Sequence, residues 1–164
     1  SAESCGAAAA MLTVLLGLSE EGFVPRRDIS FIFAVGGKSA VPDVVCAVRG
    51  VGPQALVYLT SADTERTEDG IAVPCKVGRA VCSPELRSGI ISAAERIGAV
   101  CRTAAELNAP APLRALQTVG CGVPAAVIAV PTEMANAARQ LCSLVSLEAA
   151  ASTMSAIAES DMLG

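Results

Sequence analysis

The stretch GVPAAVIAVPTEMAN, Gly122–Asn136, decides the fold class. Gly122 and Pro124 introduce six small or branched apolar residues, Ala125–Val130, and Pro131 closes the run. An apolar run between turn formers predicts a strand buried on both faces, as inner strands of helix-covered sheets are. Upstream, Leu113–Val119 predicts a short helix after the rigid turn Asn108–Pro112, and Ala99–Ala104 a strand. Ser83-Pro84-Glu85 is a helix start, with a hydroxyl cap, a proline at the first position and an acid beside it; this helix runs to about Ile97. Ile71–Val81, interrupted by Pro74 and Gly78, predicts an edge strand and a turn. Before it come a strand at Gln54–Thr60 and a polar loop at Ser61–Gly70. Asp28–Val35 predicts a central strand broken by Gly36-Gly37, and Ser39–Val48 a helix with Pro42 in its first turn. Cys5–Leu18 opens the chain as a helix. Ser146–Met162 closes it as another, with Leu147, Ala151, Met154 and Ile157 near helical spacing. About five strands alternating with about five helices predict an α/β three-layer sandwich, its mostly parallel or mixed sheet flanked by helices. Residues 1–164 read as a single domain.

Composition narrows the class further. Apolar residues make up 52% of the 164 and aromatics only 2%, which suits helices packed closely on a sheet. A net charge of −4 and no basic cluster larger than Arg26-Arg27 disfavour nucleic acid and anionic membranes as partners. The longest uncharged run, Ser4–Ser19, falls short of the ~20 apolar residues of a spanning helix. It also lacks the basic flank of a signal peptide. The 7 cysteines are dispersed with no CxxC pair, which predicts reduced thiols, most of them core fillers, in a cytoplasmic protein. Cys75 and Cys82 face each other if their segment forms a hairpin. There are 0 histidines, which removes Ser-His-Asp and Cys-His catalysis together with the commonest zinc ligand.

Two other chemistries start from local motifs. Phe33–Ser39, FAVGGKS, places Gly-Gly-Lys-Ser between a strand and a helix, the setting of a phosphate-binding loop. The full motif requires a glycine where Ile32 stands, and no strand ends in an aspartate to anchor magnesium. What remains is a candidate small-anion site of Gly36, Gly37, Lys38 and Ser39, built from free amides and one ammonium. The plainer alternative has the glycines ending the strand and Lys38 in solvent. A thiol nucleophile without histidine needs a helix N-terminus or a cation. Cys5 and Cys121 are the candidates, and both also fit as core or turn residues; Ser1 is a third nucleophile if it is a processed terminus.

The Gly-Val-Pro strand ending Ile-Ala-Val-Pro-Thr resembles the last core strand of the glutamyl or tetrahedral aminopeptidases, which are dinuclear metallopeptidases. The resemblance keeps order and spacing over nearly the whole chain. It implies an aminopeptidase fold, and it also shows where the family's metal site is replaced. Where the family has Asp-Asn-Arg-x-Gly at a helix start, this chain has Ala2-Glu3-Ser4-Cys5-Gly6, so the bridging aspartate falls on Ala2. Where the family strand ends Gln-Glu-Glu, this chain has Gly36-Gly37-Lys38. The general base thus falls on Gly37 and a ligand glutamate on Lys38. The ligand aspartate of the next strand falls on Thr60, and the last ligand histidine on Asn136, with Gln140 and Ser146 at later acidic positions. The family's inserted dimerisation domain, and a further histidine from an N-terminal segment, are expected to be missing.

Two divalent cations ~3.5–4 Å apart need several anionic oxygens or imidazoles, and a lysine ammonium among them repels both. Asp28, Asp43 and Asp63 are oxygen donors, but none falls on a family ligand position. The expectation is a non-catalytic aminopeptidase-like domain with no metal or other cofactor, acting in assembly, regulation or ligand binding. It associates with itself or with a protein partner. A small anionic ligand, or a carboxylate of the chain itself, Glu133 in preference to Glu3, pairs with Lys38. Two alternatives stand beside it: a metal-dependent aminopeptidase or hydrolase, or one part of a larger peptidase that receives ligands from another segment.

Overall fold

A computed structural model describes residues 5–20, 22–25, 27–34, 41–64, 69–107, 113–119, 122–136 and 139–160. Its elements in chain order are α1 (Cys5–Glu20), α2 (Val41–Val51), β1 (Leu56–Thr64), β2 (Ile71–Val77), β3 (Ala80–Val81) and α3 (Pro84–Arg96). β4 (Cys101–Leu107), α4 (Leu113–Val119), β5 (Ala125–Asn136), β6 (Arg139–Cys142) and α5 (Leu144–Ala158) follow. The sheet is mixed. β1 runs parallel to β5 from Leu56↔Ala125 to Thr64↔Glu133. β2 runs parallel to β4, meets β5 antiparallel at Ala72↔Ala129, and turns back on itself as β3. β6 folds antiparallel onto the far part of β5.

The run Ala125–Val130 is buried throughout, no residue more than 2% exposed, because β5 has neighbours on both edges and cover on both faces. Its alternate residues separate into two cores, as the two-residue period of a strand dictates. Ala126, Ile128 and Val130 pack with alanine-rich faces of α1, α3 and α5, among them Ala7, Ala94 and Ala150. Ala125 and Val127 pack on the other side with Val77, Cys82 and Leu113. A third cluster of Val45, Val48 and Leu116 joins α2 to α4 on that side. The helices are thin where they meet the sheet, so layers approach closely without aromatic filler. This is the expected three-layer α/β sandwich.

Three local expectations are corrected. Ile71–Val81 is not an edge, since β2 has partners on both sides. Pro74 is tolerated there because the β2–β5 ladder stops at Ala72; past it, the chain leaving β3 fills the gap, with the Cys82 N–H donating to the Cys75 carbonyl (2.9 Å) and the Ser83 N–H to the Ala125 carbonyl (2.8 Å). β1 does not end at Thr60 but runs on to Thr64, because β5 carries a parallel partner ladder that far, so 61–64 are strand and not solvated loop. Asp28–Ala34 forms no ladder among the described residues. Its β-rich side chains serve as anchors instead: Ile32 packs against the Val45–Val48–Leu116 cluster while Ile29 and Phe33 stay exposed. No described helix is long and apolar enough to cross a membrane.

Candidate functional site

The parallel pair β1 and β5 brings its C-terminal ends together, the place where open α/β sheets present ligand-binding groups. Register and pleat assign each side chain a face. Leu56 and Tyr58 join the Ala125–Val127 cluster, whereas Val57 and Leu59 join the Ala126–Ile128 cluster. Continuing the alternation puts Thr60, Thr64 and Glu133 on the α2–α4 side, and Asp63 with Thr132 on the α1–α3–α5 side. The two carboxylates at these strand ends therefore lie on opposite faces of the sheet.

The hydroxyls here are turned to main chain. Thr60 is 7% exposed and its Oγ1 donates to the Ser61 carbonyl at 3.3 Å. Thr132 is buried too, and its Oγ1 donates to the Val130 carbonyl at 3.1 Å. Glu133 is half-buried beside Thr64 on β1 and Leu141 on β6. Asp28, Asp43 and Asp63 are all exposed, on three separate segments. Among the described residues no group of three or more histidine, cysteine, aspartate or glutamate side chains is placed to hold a metal ion. Thr60 is neutral, buried and mid-strand.

Of the other predicted positions, Ala2, Gly36, Gly37, Lys38 and Ser39 lie outside the described residues, as do Ser1 and Cys121. Asn136 ends β5, and its side chain is likewise outside the description. Cys5 is exposed at the start of α1. The register thus puts Thr60 and Glu133 on one face, four residues apart along the paired strands, and Asp63 on the other.

An open hollow of about 350 Å³, which sequence reading passed over, lies between the β3–α3 junction and Gly122–Ala125, with Gln117 at its rim. The Gln117 Nε2 donates to the Val81 carbonyl at 2.6 Å. The signal for it was the turn Gly122-Val-Pro124, where Gly122 adopts φ 68°. Burial raises the pKa of the Tyr58 hydroxyl and of the Cys82 and Cys101 thiols, keeping all three in their neutral forms.

No protein-family model matches the chain, and no curated protein matches it in sequence. Solved structures do match its fold. A TET aminopeptidase from the marine sediment archaeon Thaumarchaeota archaeon SCGC AB-539-E09 superposes with a TM-score of 0.76 at 13% identity, over 96% of this chain and 47% of that one. An aminopeptidase from the archaeon Desulfurococcus kamchatkensis gives 0.72 at 16% identity, over 92% of this chain and 46% of that one. A Pyrococcus horikoshii TET1 peptidase, which can assemble into a tetrahedron or a large octahedral shell, gives 0.58 at 15% identity, over 74% and 37%. This chain has the fold of these aminopeptidases over a span that covers less than half the length of each.

Proposed function

We propose that this chain is a non-catalytic, aminopeptidase-like domain that serves as an assembly, regulatory or ligand-binding module. The observation that carries the reading is Thr60, a buried hydroxyl bonded to its own main chain at the position where the resemblance puts an anionic metal ligand. The substitutions at Ala2, Gly37, Lys38 and Asn136 and the lack of any histidine support it. Self-association belongs to the same proposal and is supported by the assembly of a fold neighbour. So does a cytoplasmic location, supported by free thiols at Cys5, Cys46, Cys75, Cys82, Cys101 and Cys142. For the ligand-binding role, we propose Lys38, which lies outside the described residues, as the cation for Glu133 or a small acidic ligand.

The test is elemental analysis after incubation with zinc, cobalt or manganese and desalting, alongside hydrolysis of aminoacyl chromogenic substrates. No retained metal and no metal-dependent hydrolysis are expected. One or more equivalents retained would sink the proposal. A second reading, that another segment of a larger peptidase supplies the ligands, is favoured by the coverage of less than half of each neighbour. It predicts metal retention only when that segment is added.

A further inference from the structure

The β2–β3 hairpin sets two cysteines against each other. Its register pairs Val77 with Ala80 and Lys76 with Val81. One step further along the ladder, Cys75 stands opposite Cys82, and the Cys82 N–H donates to the Cys75 carbonyl at 2.9 Å. Side chains alternate across a hairpin, so Cys75, Val77, Ala80 and Cys82 share one face while Lys76 and Val81 share the other. Val77, Ala80 and Cys82 belong to one apolar cluster and Lys76 and Val81 are exposed; Cys75 is exposed as well, so its place opposite Cys82 rests on the register and the hydrogen bond. Opposed residues of a hydrogen-bonded antiparallel pair have Cα atoms about 5.5 Å apart, inside the roughly 4.4–6.8 Å that a disulfide spans.

The two thiols differ in access. Cys75 is exposed, and Cys82 is 2% exposed. Burial raises the Cys82 pKa, a backbone hydrogen bond from Val127 and the Arg87 charge oppose the rise, and Cys75 adds to it.

We propose that Cys75 and Cys82 form a redox-responsive pair, closed to a cross-strand disulfide by an oxidant of the glutathione-disulfide class. The Cys75 thiolate attacks one sulfur of the oxidant, forming a mixed disulfide and releasing one glutathione thiolate. Cys82 then gives up its proton, its sulfur attacks the Cys75 sulfur, and the second glutathione leaves as thiolate. The two protons lost by the protein end on the two glutathiones, and the two electrons reduce the oxidant. Both roles follow from position: the exposed thiol meets the oxidant, and the buried one resolves it. A bond between directly opposed strands is tightly constrained, so it is readily reduced rather than permanently structural. Its consequence is local. Cys82 lines the hollow beside Gly122–Ala125 and precedes Ser83, the cap of α3, so closing the bond pins one wall of that hollow to β2.

The experiment equilibrates the whole chain in glutathione buffers from fully reduced to fully oxidised, blocks free thiols by alkylation, and maps peptides without reduction. Trypsin cuts after Lys76 and Arg79, so only a bond between Cys75 and Cys82 holds the flanking peptides together. The expected result is a species lighter by two hydrogens, with Cys75 and Cys82 protected from alkylation and the two peptides linked, reverting in reduced glutathione. Cys82→Ser is expected to stop at glutathionylated Cys75. Cys75→Ser, at an exposed position, is expected to abolish the linked peptide with an unchanged circular-dichroism spectrum, which keeps the test valid if the Cys82 variant fails to fold. Linkage among the other cysteines at equal or greater yield would overturn the proposal. So would unmodified Cys75, or glutathionylation of Cys75 without closure, across the whole range of buffers.

Discussion

At the scale of single residues, two glycines with positive φ make opposite demands. Gly70 has φ 95°, and a Cβ there would stand 2.2 Å from the Val100 carbonyl oxygen, the acceptor for the Ile71 N–H. Gly78 turns the β2–β3 hairpin at φ 56° with nothing within 4 Å of an added Cβ. Gly70→Ala is therefore expected to cost about 3 kcal/mol or more, from strain and overpacking together. Gly78→Ala should cost about 1–2 kcal/mol, the left-handed backbone term alone. Urea unfolding of both variants checks the ranking, and equal losses would contradict it. Thr153 offers a gain instead. Its hydroxyl is fully buried in α5 and finds no hydrogen-bond partner among the described residues. Thr153→Val keeps the shape and removes the desolvated group, so it should leave stability unchanged or raise it by about 1 kcal/mol.

Among the elements, α3 is capped as its sequence dictates. The Ser83 Oγ accepts from the Leu86 N–H at 3.4 Å and donates to the Glu85 carboxylate at 2.8 Å, and Pro84 occupies the first turn. Ser83→Ala is expected to cost about 1 kcal/mol in thermal unfolding. The Glu85 carboxyl is held below the ordinary carboxylate range, first by its own backbone N–H and then by the Ser83 hydroxyl. A folded pKa below the unfolded one means the carboxylate stabilises above the ordinary value, and that contribution is lost as pH falls through the lowered one. Glu85→Gln should thus flatten the acid side of the Tm-versus-pH curve and leave its neutral region nearly level. An unchanged acid slope would show that the cap carries none of it.

Over the whole molecule, apolar side chains remain outside after the core is filled. Leu12 and Leu16 on α1 and Leu141, Leu144 and Val145 at the β6–α5 junction are all exposed, Leu144 by 75%. The helices α1 and α5 pack together, with Leu147 3.1 Å from the Cβ position of Gly6. Outward apolar groups in this number favour association. Light scattering is expected to give a mass above the monomer that falls on Leu16→Lys or Leu144→Lys. A strict monomer at high concentration would refute it.

The run Ala125–Val130 was legible as a doubly covered strand because six apolar residues leave no polar face to turn outward. The cap at Ser83 and the helix boundaries near Leu113 were legible too, since each depends on residues adjacent in sequence. Tertiary structure alone decided the rest. Asp28–Ala34 has β-forming residues, yet a strand exists only where a partner supplies the ladder, and Ile32 was recruited by α2 and α4 instead. Pro74 argued for an edge, but a sheet that parts beyond Ala72 lets proline sit inside it. Whether Asp63 and Glu133 share a site depended on register. Parallel pairing of Asp63 with Thr132 and Thr64 with Glu133 sends the two carboxylates to opposite faces, a separation no reading of spacing along one strand contains.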